Sequence, residues 1–163
     1  MAQPVYDVVG GFKYVAGPFQ TVTKKTNEAV YRHSLLKLSG GKVSLWTSGA
    51  KVFGVAQHAA ALGEDVIVSI DPESLYEATS YSKVGITDIG KFCPLTLENV
   101  GIRVGDLSTM RIVSSTTSTT PALANPVQMV GLANNVTNVA SASNHKCIVK
   151  FITGELEPYV DAV

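Results

Sequence analysis

Short runs of alternating apolar and polar residues recur along this chain of 163 residues. The clearest runs lie at residues 36–38, 43–45, 66–70 and 148–152. Alternation with a period of two places every second side chain on one face of a strand, and these runs are rich in the β-branched residues that favour strands. Only residues 55–62 have a helix-forming composition, and that segment is too short to be stable as an isolated helix. The pattern therefore predicts an all-β fold, either a small β-barrel or a β-sandwich.

Turn-forming residues separate these runs. Leu35 to Trp46 is predicted to form a hairpin closed by Gly40-Gly41, because glycine supplies the positive φ that a tight turn requires. A second turn is predicted at Asn144-His145, directly before the last strand. The hairpin and the runs that follow it are separated by short connections, as in antiparallel sheets.

The chain contains a weak internal repeat, with units predicted at residues 33–71 and 91–153. Each unit has a hairpin, a strand with the pattern apolar-Gly-apolar-Ala, a loop and a closing strand. Gly54 and Gly131 occupy the same place in the two patterns, where a glycine marks a bulge or a close approach of two backbones. The alternative to a duplication is two unrelated meanders in one sandwich. The uncharged insertion at residues 114–126 is interpreted as a surface loop of the second unit.

The first 28 residues lie outside both units and are predicted to be either an extended N-terminal arm or an added strand. They contain too many aromatic residues for a disordered tail, namely Tyr6, Phe12, Tyr14 and Phe19. An arm would pair with the edge of a partner's sheet, whereas an added strand would belong to the β domain predicted for residues 29–153. Residues 154–163 are interpreted as an acidic, irregular C-terminal tail.

Charged residues are scarce, at 16% of the sequence, against about 25% in typical soluble domains. The 13 basic and 13 acidic residues balance, and no basic cluster exceeds Lys24-Lys25, so nucleic-acid binding by phosphate neutralisation is not expected. No apolar run approaches the roughly 18 residues that cross a membrane, and the N-terminus lacks the pattern of a signal peptide. We interpret the low charge as a sign that much of the surface contacts another protein.

No residue pattern in the sequence indicates a catalytic, cofactor or metal site. His33, His58 and His145 lack the spacing of zinc ligands, and the acidic residues are dispersed. Cys93 and Cys147 are interpreted as buried thiols, because disulfides rarely persist in the cytosol. His145 lies two residues before Cys147 but in a predicted turn, so a Cys-His nucleophile pair is not expected. We therefore expect a protein that is not an enzyme and needs no cofactor.

A succession of strand residues carries a likeness to a known family. It comprises residues 36–38, 41–43, 52–56, 65–68, 75–79 and 88–95. Over about residues 29–153 this succession resembles the capsid decoration proteins of tailed bacteriophages, which are also called cement or head-stabilising proteins. The resemblance implies a structural virion protein that is made in the host cytoplasm and binds the outer capsid surface. It also implies that adjacent major capsid subunits are joined by a homotrimer or homodimer.

The N-terminal aromatic residues are the expected contacts with the capsid, because aromatic side chains dominate interaction hot spots. They are Tyr6, Phe12, Tyr14 and Phe19. If they form an arm, deleting residues 2–20 abolishes capsid binding and leaves a folded domain. Two alternative functions stay open: another phage structural β module, from a tail, connector or fibre base, and a glycan-binding or enzymatic β-sandwich.

Overall fold

The computed structural model describes residues 11–47, 49–71, 73–80, 84–96, 111–112, 119, 125–132 and 145–151. These residues form an all-β fold of two sheets, as predicted, and the arrangement is that of a β-sandwich and not of a closed barrel. The strands are β1 (Phe12–Ala16), β2 (Thr21–Lys25), β3 (Leu35–Ser39), β4 (Lys42–Leu45), β5 (Gly54–Ala56), β6 (Asp65–Ser69), β7 (Leu75–Ser80), β8 (Phe92–Cys93), β9 (Leu95–Thr96), β10 (Arg111–Ile112), β11 (Val127–Leu132) and β12 (His145–Phe151). A short 3-10 helix spans Ile86–Asp88.

The seven-stranded sheet has the order β8-β11-β12-β7-β10-β9, with β1 also beside β7. Its pairings are antiparallel except for that of β7 with β10, where Ile112 lies opposite Ser80. Strand β1 runs antiparallel to β7, with Phe12 opposite Ala78 and Tyr14 opposite Tyr76. The first strand of the described chain is therefore part of this sheet.

The five-stranded sheet has the order β2-β6-β5-β3-β4 and is antiparallel throughout. Strands β3 and β4 form the predicted hairpin, and Gly40 and Gly41 close it with φ values of 59° and 78°. An isolated parallel bridge between Thr26 and Val43 brings the chain after β2 next to β4. The two ends of this sheet thus approach each other, and the sheet curls around its own apolar face.

Two apolar cores result from this arrangement. The larger core lies between the sheets and includes Phe12, Leu35, Trp46 and Tyr76. The smaller core lies inside the curled five-stranded sheet; its members are Val30, Leu36, Val43, Phe53, Ala56, Ala60, Val66, Val68 and Ile70. Because the neighbours Leu35 and Leu36 are both fully buried, one in each core, β3 is covered on both faces. Strand β3 therefore separates the two cores.

A hydrogen-bonded polar group links the two sheets through the larger core. The hydroxyls of Tyr76 on β7 and Ser69 on β6 are 2.8 Å apart. The Gln57 side-chain amide donates to the Ser69 hydroxyl at 3.0 Å. Burial raises the pKa of Tyr76, so the phenol stays protonated and remains a donor across the physiological range. This contact fixes the position of one sheet on the other.

The two sheets share a strand path. One contains the path β2-β6-β5-β3 and the other the path β7-β12-β11-β8, and all six pairings are antiparallel. When β1, β4, β9 and β10 are left aside, four strands remain in each half of the chain, and each path takes them in the order first, fourth, third, second. Strands β2 and β7 lie outside the units predicted at residues 33–71 and 91–153, so the shared path does not follow the predicted units, and the duplication stays a prediction.

Gly54 and Gly131, the two glycines inside strands, have the structural roles that the sequence predicted. A Cβ atom on Gly54 would lie 2.6 Å from Val68 Cγ1 and closer still to the Ser69 carbonyl oxygen, so two backbones approach closely there. At Gly131 the pairing of β11 with β12 shifts register between Met129 and Gly131, which is the predicted bulge.

The N-terminal segment is not an arm from Gly11 onward. Strands β1 and β2 belong to different sheets, and both pair with strands of the domain predicted for residues 29–153. The added-strand alternative is therefore correct for residues 11–28. Residues 1–10, which include Tyr6, lie outside the described residues, as do the tail at residues 154–163 and all of the 114–126 insertion except residues 119, 125 and 126.

The turn predicted at Asn144-His145 is wrong for its second residue. His145 is the first residue of β12 and lies opposite Ser80 on β7. The pairing of β12 with β7 extends over five residue pairs, and this long ladder continues the strand through a residue whose local sequence favours a turn.

Candidate functional site

Among the described residues, exposed apolar side chains lie where β1 leads into β2. We call Tyr14, Val15 and Phe19 the edge surface. Strand β1 pairs with β7 on one side, and among the described strands none pairs with its other side. The Phe12 amide donates to the His33 carbonyl at 2.9 Å, so only the start of that free side is covered by the described chain. An unpaired strand edge is a ready template for another strand.

The backbone that carries Phe19 is held in place by its neighbours. Gly17 has a φ of 95°, and a Cβ atom there would lie 2.9 Å from the Glu73 carbonyl oxygen. The Tyr14 hydroxyl donates to the Gly17 carbonyl, and the Ser74 hydroxyl donates to the Pro18 carbonyl. The segment between β1 and β2 is therefore packed against the turn that precedes β7, and its conformation is set before any partner binds.

Phe19 is an exposed aromatic side chain on this ordered backbone. It is 50% exposed, and its ring centroid lies 4.7 Å from that of Tyr14 in a tilted arrangement. Tyr14 also packs edge-on against Tyr76, with the two ring centroids 6.2 Å apart. The structure thus brings together two of the four aromatic residues that the sequence singled out, and it adds Val15, which is 43% exposed.

Phe12 is removed from the candidate site by its burial. Its side chain is 0% exposed and packs edge-on against Phe151 with ring centroids 5.4 Å apart. A side chain in this position cannot contact a partner without unfolding of β1. The sequence could not show that Phe12 is buried and Phe19 exposed, because both lie in the same aromatic segment. Only the pairing of β1 with β7 decides which side chain is covered.

Other large apolar side chains are exposed singly or in pairs. They are Leu62, Ile67, Ile86, Ile89 and Leu132. Scattered exposed apolar residues are normal on protein surfaces and do not mark a site. Within the described residues, only Phe19 combines exposure with an ordered aromatic neighbour.

No group of three or more His, Cys, Asp or Glu side chains in the described ranges is placed to hold a metal ion. No helix in the part of the chain that the structure describes is long and apolar enough to cross a membrane.

Cys93 and Cys147 are free thiols buried in the larger core. Burial raises the pKa of each to about 12, and the Coulomb effect of nearby acidic groups acts in the same direction. The thiolate is the nucleophilic form of cysteine, so these residues are poorly suited to nucleophilic catalysis even though His145 and Cys147 share β12. Their role in the described structure is to fill the core.

The two thiols should be unreactive in the folded protein. We expect negligible alkylation by iodoacetamide at about pH 8 and full alkylation of both thiols in denaturant. Because the raised pKa values favour the folded state below pH 9.0, the stability contributed by the thiols should be lost as the pH rises from 9.0 to about 12. Urea unfolding at a series of pH values measures this loss.

A double variant with Cys93→Ala and Cys147→Ala serves as the control for the alkaline loss. It retains every other titrating group, so its stability should fall less steeply over the same pH range than that of the unaltered protein. Rapid alkylation of the folded protein, or equal alkaline slopes in the two proteins, would contradict the burial of these thiols.

Comparison with known proteins does not assign the chain to a family. No protein-family model matches the chain, and no curated protein matches it significantly.

Proposed function

We propose that this protein decorates the outer surface of a tailed bacteriophage head and stabilises the capsid by joining adjacent major capsid subunits. The observation that carries the proposal is Phe19, an aromatic side chain half exposed on an ordered backbone beside a strand edge that no described strand pairs with. The strand succession that resembles decoration proteins supports it, since residues 36–38, 65–68 and 75–79 all lie within strands.

The edge surface suits binding without a covalent step. A partner strand that adds to β1 would gain backbone hydrogen bonds, and Phe19 would enter an apolar pocket of the partner. Because Tyr14 and the Ser74–Pro18 hydrogen bond already order the Phe19 segment, little conformational entropy is lost when it is buried. The surface therefore has the features of a small interaction hot spot.

Oligomerisation allows a small surface on each subunit to be sufficient for capsid binding. A homotrimer or homodimer places two or three edge surfaces over neighbouring capsid subunits, and linked contacts of this kind raise avidity by roughly 10²–10⁴. Decoration then resists separation of the subunits, because all of the linked contacts must break together. The low charge of the sequence, at 16%, accords with a surface that is largely in contact with protein.

Binding to purified heads tests the proposal. The heads should come from the phage whose genome encodes the chain and should be assembled without this protein. Cosedimentation should show saturable binding of the unaltered protein. Phe19→Ala should weaken binding about thirtyfold, because truncating a hot spot costs about 2 kcal/mol and each 1.4 kcal/mol is about tenfold in affinity.

Leu62→Ala is the matched control for this measurement. Leu62 is 69% exposed on the turn before β6, far along the chain from the edge surface, so its truncation should leave binding unchanged. Failure of the unaltered protein to sediment with the heads would refute the proposed function. Equal binding by Phe19→Ala and the unaltered protein would show that the edge surface is not the contact.

A further inference from the structure

The outer face of the seven-stranded sheet carries a row of lysines interleaved with apolar residues. On β12, Lys146, Ile148 and Lys150 occur at every second position and share one face, and their neighbours Cys147 and Val149 are buried in the core on the other face. We call this surface the lysine face. Lysine and isoleucine alternate along it, so it is neither a core face nor a plain solvated face.

The neighbouring strands extend the lysine face. Ile148 lies opposite Glu77 on β7, and Glu77 lies opposite Lys13 on β1. Lys13 is exposed. On β1, β7 and β12 the face thus carries three lysines and one glutamate.

The lysines lie close enough to affect one another. The Lys146 ammonium donates to the Thr79 hydroxyl at 2.7 Å. Burial is the largest cause of the lowered pKa of Lys146, Glu77 acts in the opposite direction, and Lys13 lowers the pKa by a smaller effect. Positive charges that repel one another in the isolated protein are favoured by an acidic surface placed against them.

The five-stranded sheet differs on the face that is turned away from the larger core. Ala56 on β5 and Val68 on β6 lie opposite each other and are buried in the smaller core. Gln128 on β11 and Lys150 on β12 also lie opposite each other, but both are half-buried.

We propose that the lysine face binds a capsid-subunit surface in which carboxylates alternate with apolar side chains. This inference rests on the proposed function and names the chemistry of the partner. Lysine stems cover apolar groups while their ammonium ends meet carboxylates, so an alternating row of lysine and isoleucine fits such a surface. The zero net charge of the chain and the apolar residues within the row favour a protein partner over nucleic acid.

Charge reversal tests this inference. The double variant with Lys13→Glu and Lys150→Glu should bind undecorated heads at least tenfold more weakly than the unaltered protein at about 50 mM salt. Binding of the unaltered protein should weaken as the salt is raised to about 300 mM, and that of the variant should change less. The neutral variant with Lys13→Gln and Lys150→Gln should show an intermediate loss and is the substitute if the reversed form does not fold.

A control with Lys42→Glu and Lys51→Glu carries the same change in charge. Both residues are exposed, with Lys42 on β4 of the other sheet and Lys51 in the connection between β4 and β5, so this variant should bind like the unaltered protein. If the lysine-face variants bind heads normally, the inference is wrong and the proposed function stands. If the unaltered protein does not bind heads, both fail. Tighter binding to duplex DNA than to heads would overturn the choice of a protein partner.

Discussion

Gly54→Ala is expected to lower the free energy of unfolding by about 3 kcal/mol or more, and to leave part of the protein unfolded at room temperature. The added Cβ would lie 2.6 Å from Val68 Cγ1 and closer still to the carbonyl oxygen of Ser69. A backbone carbonyl in a paired strand cannot rotate away, so β5 and β6 would have to separate. Both cores would then be disturbed, because Val55 lies in one and Ala56 in the other.

Gly131→Ala is the matched control for this prediction. At Gly131 the nearest atom to an added Cβ is Ile148 Cβ at 3.9 Å, an ordinary contact. We expect a change within about 0.5 kcal/mol. Urea unfolding followed by the fluorescence of Trp46, the single tryptophan of the chain, measures both variants. Equal stabilities of the two variants would contradict the close approach of the backbones at Gly54.

Deleting residues 2–20 is expected to abolish cooperative folding. The deletion removes β1 and with it Phe12, which is fully buried against Phe151 in the larger core. Loss of a buried phenylalanine side chain alone costs about 3–5 kcal/mol, comparable to much of the stability of a small domain. Thermal unfolding followed by circular dichroism should show no cooperative transition.

Deleting only residues 2–10 separates the two parts of the N-terminal segment. It leaves every described contact of β1 in place, so this variant should unfold cooperatively. A cooperative transition at the normal temperature for the 2–20 deletion would restore the arm hypothesis for the whole segment. Because we expect the longer deletion to unfold the protein, the point variant Phe19→Ala is the better probe of capsid binding.

The strands and their turns could be predicted because each is determined by residues that are close together in the sequence. Alternation of apolar and polar residues sets the faces of β3, β4, β6 and β12, and Gly40-Gly41 sets the hairpin turn. The two strand glycines were predictable for the same reason, since a glycine inside an apolar strand has few other uses. Each of these features depends on a few neighbouring residues.

The sequence could not show which aromatic residues are buried, because their burial depends on pairing between distant parts of the chain. Phe12 is buried because β1 pairs with β7, and Phe19 is exposed because Gly17 turns the chain away at Glu73 and Ser74. The turn at His145 was wrongly predicted for the same reason, since pairing with β7 makes this residue part of a strand.

Two of the three residues of the edge surface were singled out from the sequence, and their contact with a partner stays a prediction. Tyr14 and Phe19 stand close in sequence, and their aromatic character alone suggested a contact surface. The lysine face had no sequence pattern of its own, because Lys13 and Lys150 come from opposite ends of the chain and meet only through β7. Surfaces assembled from distant strands become visible only when the sheet order is known.

Electron cryomicroscopy of the phage head, assembled without this protein and then mixed with it, tests the central claim most directly. We expect added density at regularly repeated positions on the outer surface, over the junctions between major capsid subunits, with the seven-stranded sheet turned toward the shell. Bare heads, or density confined to the tail or connector, would contradict the claim that this protein binds the capsid lattice.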